Sequence, residues 1–286
     1  MLTFLRFGRL HTLVGTSLSL IALYAMASRH TGESRPFELA VALFACLTAN
    51  YYITGLNQLT DVEIDRINKP YLPLASGAYS MTTGRIIVFS CLVLALITSF
   101  REPYYLFATV GLSILIGTAY SVEPIRLKKY HFWAAFCIIV VRGLLVNLLL
   151  YAHFRVSMGE ELQYPWSVWL LTAVVFVFGL IIAWFKDLPD TEGDAAYGIR
   201  TLSLVRNRDW VYSRGSAILL VTLLAATGVA AVYGNWWLAL GQVGAIVCFT
   251  IARRTLDLED TATIARFYQL LWVTFFWEYA AFGLFG

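Results

Sequence analysis

The sequence predicts an all-α, polytopic membrane protein with nine transmembrane helices around a central cavity. Three observations predict it. Of the 286 residues, 59% are hydrophobic and only 14% are charged, whereas soluble domains carry about a quarter charged residues. Apolar runs of about 18 residues or more, long enough to cross a bilayer, recur along the whole chain. The polar stretches between them are too short to act as linkers, so residues 1–286 read as a single transmembrane domain. The formal net charge of +3 is too small to suggest nucleic acid as a partner; the expected surroundings are a lipid bilayer.

The first span is predicted over 10–28. It starts so near the N-terminus, and with no small-residue cleavage site, that no signal or transit peptide is expected. The second covers 37–57 and runs straight into the polar stretch GLNQLTDVEIDRINKP. The third and fourth, 82–100 and 103–120, are separated by Arg101-Glu102-Pro103, where proline suits a helix start. The fifth covers 131–153 and the sixth 166–186. The seventh and eighth, 214–233 and 236–252, are split by Gly234-Asn235, a turn signal. The ninth covers 267–285.

Nine spans fix the side of every loop. The N-terminus and the loops after the even-numbered spans then share one face, which carries sixteen of the 21 Lys and Arg residues. The other face carries Arg29, Arg35, Arg101 and Arg155, and Arg142 stays inside the fifth span. By the positive-inside rule the first face is cytoplasmic or stromal, with the N-terminus inside and the C-terminus outside. Cys46, Cys91, Cys137 and Cys248 lie in apolar runs without metal-ligand spacing and read as buried free thiols. His11, His30, His131 and His153 sit near span ends, where an interfacial place is expected.

Two carboxylate sets fall on the basic face. Asn57, Asp61 and Asp65 follow one another at four-residue intervals, which on a continuing helix makes one polar stripe. Asp187, Asp190 and Asp194 close the sixth span at i, i+3 and i+7, again one face. Two like charges a turn apart repel unless a cation joins them, so these six residues are candidate metal ligands. Oxygen donors without His or Cys favour Mg²⁺ over zinc, and Mg²⁺ commonly completes its shell with substrate phosphate. Lys69, Lys186, Arg126, Lys128 and Lys129 lie on the same face, where they can neutralise diphosphate oxygens.

These residues carry a family resemblance. NQLTDVEIDRINKPYLPLASG, with its Asn-x3-Asp-x3-Asp pattern, resembles the first aspartate motif of the UbiA superfamily of intramembrane prenyltransferases. KDLPDTEGD is similar to its second motif, and GTAYSVEPIRLKKY to its third cytoplasmic segment, which places Tyr120 beside the basic run. RGLLVNL, RFGRLHTLVGTSLSL and YQLLWVTFFWEY extend the likeness over essentially the whole chain, and it is closest to the homogentisate prenyltransferase branch. The resemblance implies an aromatic prenyltransferase that moves a prenyl group, in the first place phytyl, from prenyl diphosphate to homogentisate with loss of carbon dioxide, in tocopherol (vitamin E) biosynthesis. It implies Mg²⁺ as cofactor, Asp61, Asp65, Asp190 and Asp194 as catalytic, and Lys69, Arg126, Lys128, Lys186 and Tyr120 as diphosphate-binding. It implies a plasma or thylakoid-type membrane. One departure stands in the N-terminal segment, where Leu10 follows Arg9 at a place where the family usually has proline; it bears on how Arg9 is presented.

Acceptor-binding candidates are Arg6, Arg9 and His11 from that segment, and Asn50, Arg142 and Asn147 from the spans. Intramembrane ions usually face a partner or a cavity. Arg142 and Glu278 fall at similar depth, so either they pair, tying two helices, or Arg142 meets the acceptor's carboxylate. Asn50 either extends the stripe inward or, like Asn147, bonds across helices. Other readings are a geranylgeranyl or solanesyl donor, 4-hydroxybenzoate as acceptor, a cation-coupled transporter, and a scaffold. A transporter predicts acids at mid-membrane in broken helices, whereas these acids sit at helix ends on one face.

Overall fold

A computed structural model describes residues 2–186, 188 and 201–286. The elements among the described residues are all helices, with no strand. A short helix α1 (Leu2–Phe7) precedes α2 (Leu10–Thr31) and α3 (Pro36–Thr60). Then come α4 (Val62–Asn68), α5 (Met81–Ser99) and α6 (Tyr105–Ser121). Helices α7 (His131–Ile139) and α8 (Val146–Ser157) are one continuous rod joined by a π-helical segment, Val140–Leu145. Helix α9 (Trp166–Phe185) is followed by α10 (Leu202–Val205), α11 (Arg208–Val232), α12 (Trp236–Arg254) and α13 (Thr261–Phe285). Seven of these stretches are long and apolar enough to cross a membrane; α6 is apolar but has 17 residues.

The helices close into a ring. Helix α2 packs on α3, α8 and α13, α3 on α5 and α6, and α9 on α7, α11 and α13. Glycines permit the closest approaches. A Cβ on Gly283 would stand 3.0 Å from Ala22 Cα, and one on Gly143 would stand 2.9 Å from Phe176 Cα. Small residues at such crossings replace the hydrophobic drive that lipid does not supply. Large apolar side chains such as Ile97, Phe89, Val232 and Trp236 point outward, as expected where the solvent is acyl chain.

Side-chain contacts gather the loops on two faces of the ring. On one face hydrogen bonds link Arg9, Asn57, Asp61, Arg126 and Lys128, and a separate one joins Lys186 to Tyr120. On the other, Arg101 pairs with Glu38 at 2.9 Å, His30 Nδ1 meets the Tyr151 hydroxyl at 3.0 Å, and Asn235 donates to the Phe285 carbonyl at 2.6 Å. Arg29 donates to the Gly283 and Gly286 carbonyls there.

The span edges differ from expectation mainly at two starts. Helices α11 and α13 begin six residues early, at Arg208 and Thr261. Asn207 Oδ1 accepts from the Trp210 N–H at 2.8 Å and Asp260 Oδ1 from the Ala262 N–H at 2.9 Å. Such caps satisfy orphan amides and carry a helix into polar residues that hydropathy reads as loop. Two smaller expectations are corrected. Cys248 is exposed on the outward surface of α12. His153 is fully buried, with Nε2 3.8 Å from Glu38 Oε2, because it faces α3 and not the interface.

Candidate active site

The first carboxylate set is built where α3 ends. The expected continuous stripe is interrupted: Asp61 leaves helical geometry at φ −121°, ψ 18°, ending α3 and opening α4. The break keeps the register. Asn57 Nδ2 donates to Asp61 Oδ2 at 3.0 Å, and the Asp65 amide donates to the Asp61 carbonyl at 2.8 Å. The turn thus tips the Asp61 carboxylate out of the helix toward its neighbours without separating it from Asn57 or Asp65.

Cations from other elements converge on that carboxylate. Arg126 Nη2 donates to Oδ1 at 3.0 Å, and Lys128 Nζ donates to Oδ2 at 2.5 Å and to Thr60 Oγ1 at 3.2 Å. The Asp61 and Lys128 side chains are 12% and 8% exposed. Burial pushes the Lys128 ammonium down to about 8, against the pull of Asp61. Arg126 is presented from a left-handed backbone, φ 36°, and its other arm reaches Glu123 at 3.1 Å. Lys129 turns to Glu123 at 2.6 Å, away from Asp61. A cavity of about 420 Å³ lies beside this cluster, lined in part by Asp61, Glu63, Met81 and Arg126.

Asp65 is buried, and among the described residues its Oδ2 has no hydrogen-bond partner. Burial pushes its carboxyl up; the charges of Arg9, Lys69 and Lys128 pull it down, and Asp61 pushes it up. Lys69 ends α4, with its amide donating to the Asp65 carbonyl at 2.8 Å.

The N-terminal segment completes the cluster, which its spacing alone does not reveal. Arg9 Nη2 donates to Asn57 Oδ1 at 2.8 Å, so one chain of contacts runs from Arg9 through Asn57 to Asp61. Arg9 takes a left-handed conformation, φ 52°, between α1 and α2, an uncommon state for a residue with a Cβ. The docking of α1 holds it there. Phe7 is buried against α3 where a Cβ on Gly55 would stand 2.6 Å from its ring, and Gln58 Nε2 bonds the Phe7 carbonyl at 2.8 Å. The departure at Leu10 therefore does not withdraw Arg9 from the cluster. Arg6 lies exposed on α1.

Lys186, at the end of α9, donates to the Tyr120 hydroxyl at 3.1 Å and lies over its ring. This joins the end of α6 to the end of α9 on the Asp61 face. Asp187, Asp190 and Asp194 lie outside the described residues.

Deeper in the ring the predicted polar residues separate. Asn50 accepts from Thr12 Oγ1 and donates to Thr16 Oγ1, both at 3.1 Å, so its amide bonds α3 to α2. The Arg142–Glu278 pair does not form. Glu278 Oε2 accepts from Gln242 Nε2 at 2.7 Å, bonding α13 to α12. Arg142 lies over the Trp272 and Phe275 rings, at 4.9 and 5.4 Å from their centroids. Equal depth does not fix the direction a side chain takes around its helix. Asn147 is fully buried; its Nδ2 reaches the Gly143 carbonyl at 3.0 Å, and its Oδ1 accepts from the Tyr279 hydroxyl at 2.9 Å. His11 stands edge-on to Trp272 at 4.8 Å.

The ring of apolar helices carries a cluster of carboxylate and basic side chains at one mouth. Residues 18–278 match the UbiA prenyltransferase family model, and the chain belongs to that family. The homogentisate phytyltransferase of Synechocystis sp. is 42% identical over 98% of this chain and 94% of its own. Homogentisate phytyltransferase 1 of Arabidopsis thaliana, chloroplastic, is 35% identical over 96% of this chain and 73% of its own. The homogentisate geranylgeranyltransferase of Hordeum vulgare is 34% identical over 97% of this chain and 71% of its own. Among solved structures, a UbiA homolog from Archaeoglobus fulgidus bound to GPP and Mg²⁺ superposes with a TM-score of 0.67 at 16% identity, over 98% of this chain and 99% of that one. The chain is thus an aromatic prenyltransferase similar to the homogentisate phytyltransferases.

Proposed function

We propose that this protein transfers a prenyl group, phytyl by preference, from prenyl diphosphate to homogentisate with loss of carbon dioxide, supplying a tocopherol precursor. The branch of relatives supports homogentisate, and the nearly full-length likeness to a phytyltransferase supports the donor. The single observation that carries the reading is the Asp61 carboxylate, which holds two cations and an amide at a mouth of an apolar ring. A lone structural carboxylate needs one partner; here the surplus of basic donors matches a larger anion.

The residues fit Mg²⁺. The donor set is all oxygen, and Asp65 offers a buried oxygen with no partner among the described residues. Asp61, Asp65 and Asn57 would hold the metal with Asp187, Asp190 and Asp194 of the second motif. When bound, Mg²⁺ supplies Lewis-acid and templating chemistry toward the diphosphate. The chain's own residues do the rest. Arg126, Lys128, Lys186 and Lys69 offset the charge that grows on the leaving diphosphate as the allylic C–O bond breaks. Tyr120 orients Lys186, and Arg9 orients Asn57. The apolar ring excludes water that would otherwise capture the allylic cation.

In the bilayer, nine helical stretches cross, with α6 and α13 completing the seven strongest. The Asp61 mouth faces the cytoplasm or stroma, the N-terminus lies inside and the C-terminus outside, in agreement with the excess of Lys and Arg on that face.

The test uses purified protein in lipid with Mg²⁺, labelled homogentisate, and phytyl, geranylgeranyl and solanesyl diphosphates in competition. The expected result is decarboxylated, mainly phytylated product that disappears with EDTA. Product formation from 4-hydroxybenzoate alone would contradict the homogentisate assignment, and dominant geranylgeranyl or solanesyl product would contradict the donor.

A further inference from the structure

We infer that Arg142 is the residue that reads the carboxylate of the aromatic acceptor, presented by a π-helical turn that Asn147 and Tyr279 hold in place. The inference rests on the aromatic-acid acceptor proposed above and adds how that acid is recognised.

A guanidinium inside a membrane helix bundle is costly unless it is neutralised. Arg142 lies eleven residues into the rod that begins at His131, roughly 17 Å along a helix at about 1.5 Å per residue. Among the described residues no carboxylate pairs with it. The acid at similar depth, Glu278, is turned to Gln242. What surrounds Arg142 is aromatic: the Trp272 and Phe275 rings of α13 lie 4.9 and 5.4 Å from its Cζ. Ring faces attract and orient a cation, but they accept no strong in-plane hydrogen bond. The N–H fork, which suits a planar carboxylate bidentately, therefore keeps its donors for another group.

The position is built for presentation. At Val140–Leu145 the backbone switches to i→i+5 bonding, with the Val146 amide donating to the Val141 carbonyl. Single π turns often mark functional sites. Asn147 spans the same register, with its Nδ2 at 3.0 Å from the Gly143 carbonyl and 3.4 Å from the Arg142 carbonyl. Tyr279 locks the Asn147 amide from α13. Across the ring, α2 packs closely on the guanidinium: a Cβ on Gly15 would stand only 3.2 Å from Arg142 Nη1.

The position also connects to the mouth. His11, two residues after Arg9 and one turn before Gly15 on α2, stands against the Trp272 ring that Arg142 also overlies. Arg9 belongs to the Asp61 cluster through Asn57. An aromatic acid whose carboxylate meets Arg142 therefore has its ring beside His11 and Trp272, on the side toward the diphosphate. The basic residues of the mouth bind the donor; Arg142 is set apart from them to bind the acceptor's charge.

The test compares wild type, Arg142→Gln and Arg142→Lys in nanodiscs with two acceptors of the same ring, homogentisate and the neutral methylhydroquinone. Binding of labelled acceptor is measured with donor present, and KM and kcat are measured wherever product forms. Arg142→Gln is expected to weaken homogentisate about 10- to 100-fold in Kd and KM, with the neutral acceptor changed less than about threefold. Arg142→Lys is expected to recover part of the loss. An equal loss for both acceptors would show a structural role, and no loss for homogentisate would place the carboxylate elsewhere; either overturns the inference. A wild type that prenylates 4-hydroxybenzoate but not homogentisate would instead overturn the acceptor proposed above, and the same comparison would then be read on that acid against phenol.

Discussion

Two arginine–carboxylate pairs sit on opposite faces of the ring and look alike in isolation. Arg126 meets Asp61 at 3.0 Å; Arg101 meets Glu38 at 2.9 Å. Both acids are largely shielded, 12% and 17% exposed. Their surroundings differ. Asp61 has Lys128 and Asn57 as further donors, with Asp65 buried a turn away. Glu38 has one arginine and a buried His153 at 3.8 Å. The Glu38 pair gathers fewer donors and ties α3 to the α5–α6 turn. The Asp61 cluster gathers more charge of each sign than one pair requires, and a second ligand can redistribute that charge. Such redistribution separates a binding site from a staple.

The largest effect expected from breaking this comparison is on turnover. Asp61→Asn removes the centre of the cluster and is expected to lower kcat/KM by about a thousandfold or more, or some 4 kcal/mol at the transition state. Glu38→Gln is expected to keep turnover within about threefold and instead lower stability by about 1–3 kcal/mol, since it strands part of a shielded pair. Product assays and melting curves on the two variants in one detergent check both halves.

A smaller effect sharpens the comparison from the side of α1. Gly55→Val would force the Phe7 ring away, because even a Cβ there would stand 2.6 Å from it. Arg9 would then lose its seat over Asn57. The expected outcome is about a tenfold to hundredfold fall in kcat/KM, comparable to Arg9→Gln and not additive with it in the double variant. Additive losses would show that Gly55 acts through general packing.

The smallest effect belongs to a pair at the same mouth that joins no cluster. Arg66 and Glu63 meet at 2.8 Å but are 56% and 66% exposed. Exposed i,i+3 pairs contribute little, so Arg66→Ala is expected to change melting by no more than a degree or two and activity by less than twofold.

The apolar helices were largely legible in the sequence, because a bilayer forces apolar runs of set length. The misplaced starts of α11 and α13 came from caps at Asn207 and Asp260, which hydropathy does not register. The Asn57–Asp61–Asp65 spacing survived because the break at Asp61 preserves the i,i+4 contacts. Arg9 on Asn57 was not readable: the contact spans 48 residues and depends on Phe7 fitting against Gly55. The pairing of Arg142 with Glu278 failed because depth along a helix is readable and azimuth is not. The π turn that sets the azimuth of Arg142 has only a faint signature, an Asn five residues after the Arg. Asn50 and Asn147 did bond across helices, as buried amides in apolar bundles do.

The central claim is that the Asp61 mouth binds the donor diphosphate together with Mg²⁺. The most direct measurement is equilibrium binding of a labelled, unreactive thiolo-analogue of a prenyl diphosphate to the protein in nanodiscs, with Mg²⁺ or with EDTA, for wild type, Asp61→Asn and Glu38→Gln. Wild type and Glu38→Gln are expected to bind at least about tenfold tighter with Mg²⁺, and Asp61→Asn to lose that enhancement. Binding that is indifferent to Mg²⁺ in wild type, or an enhancement that survives in Asp61→Asn, would contradict it.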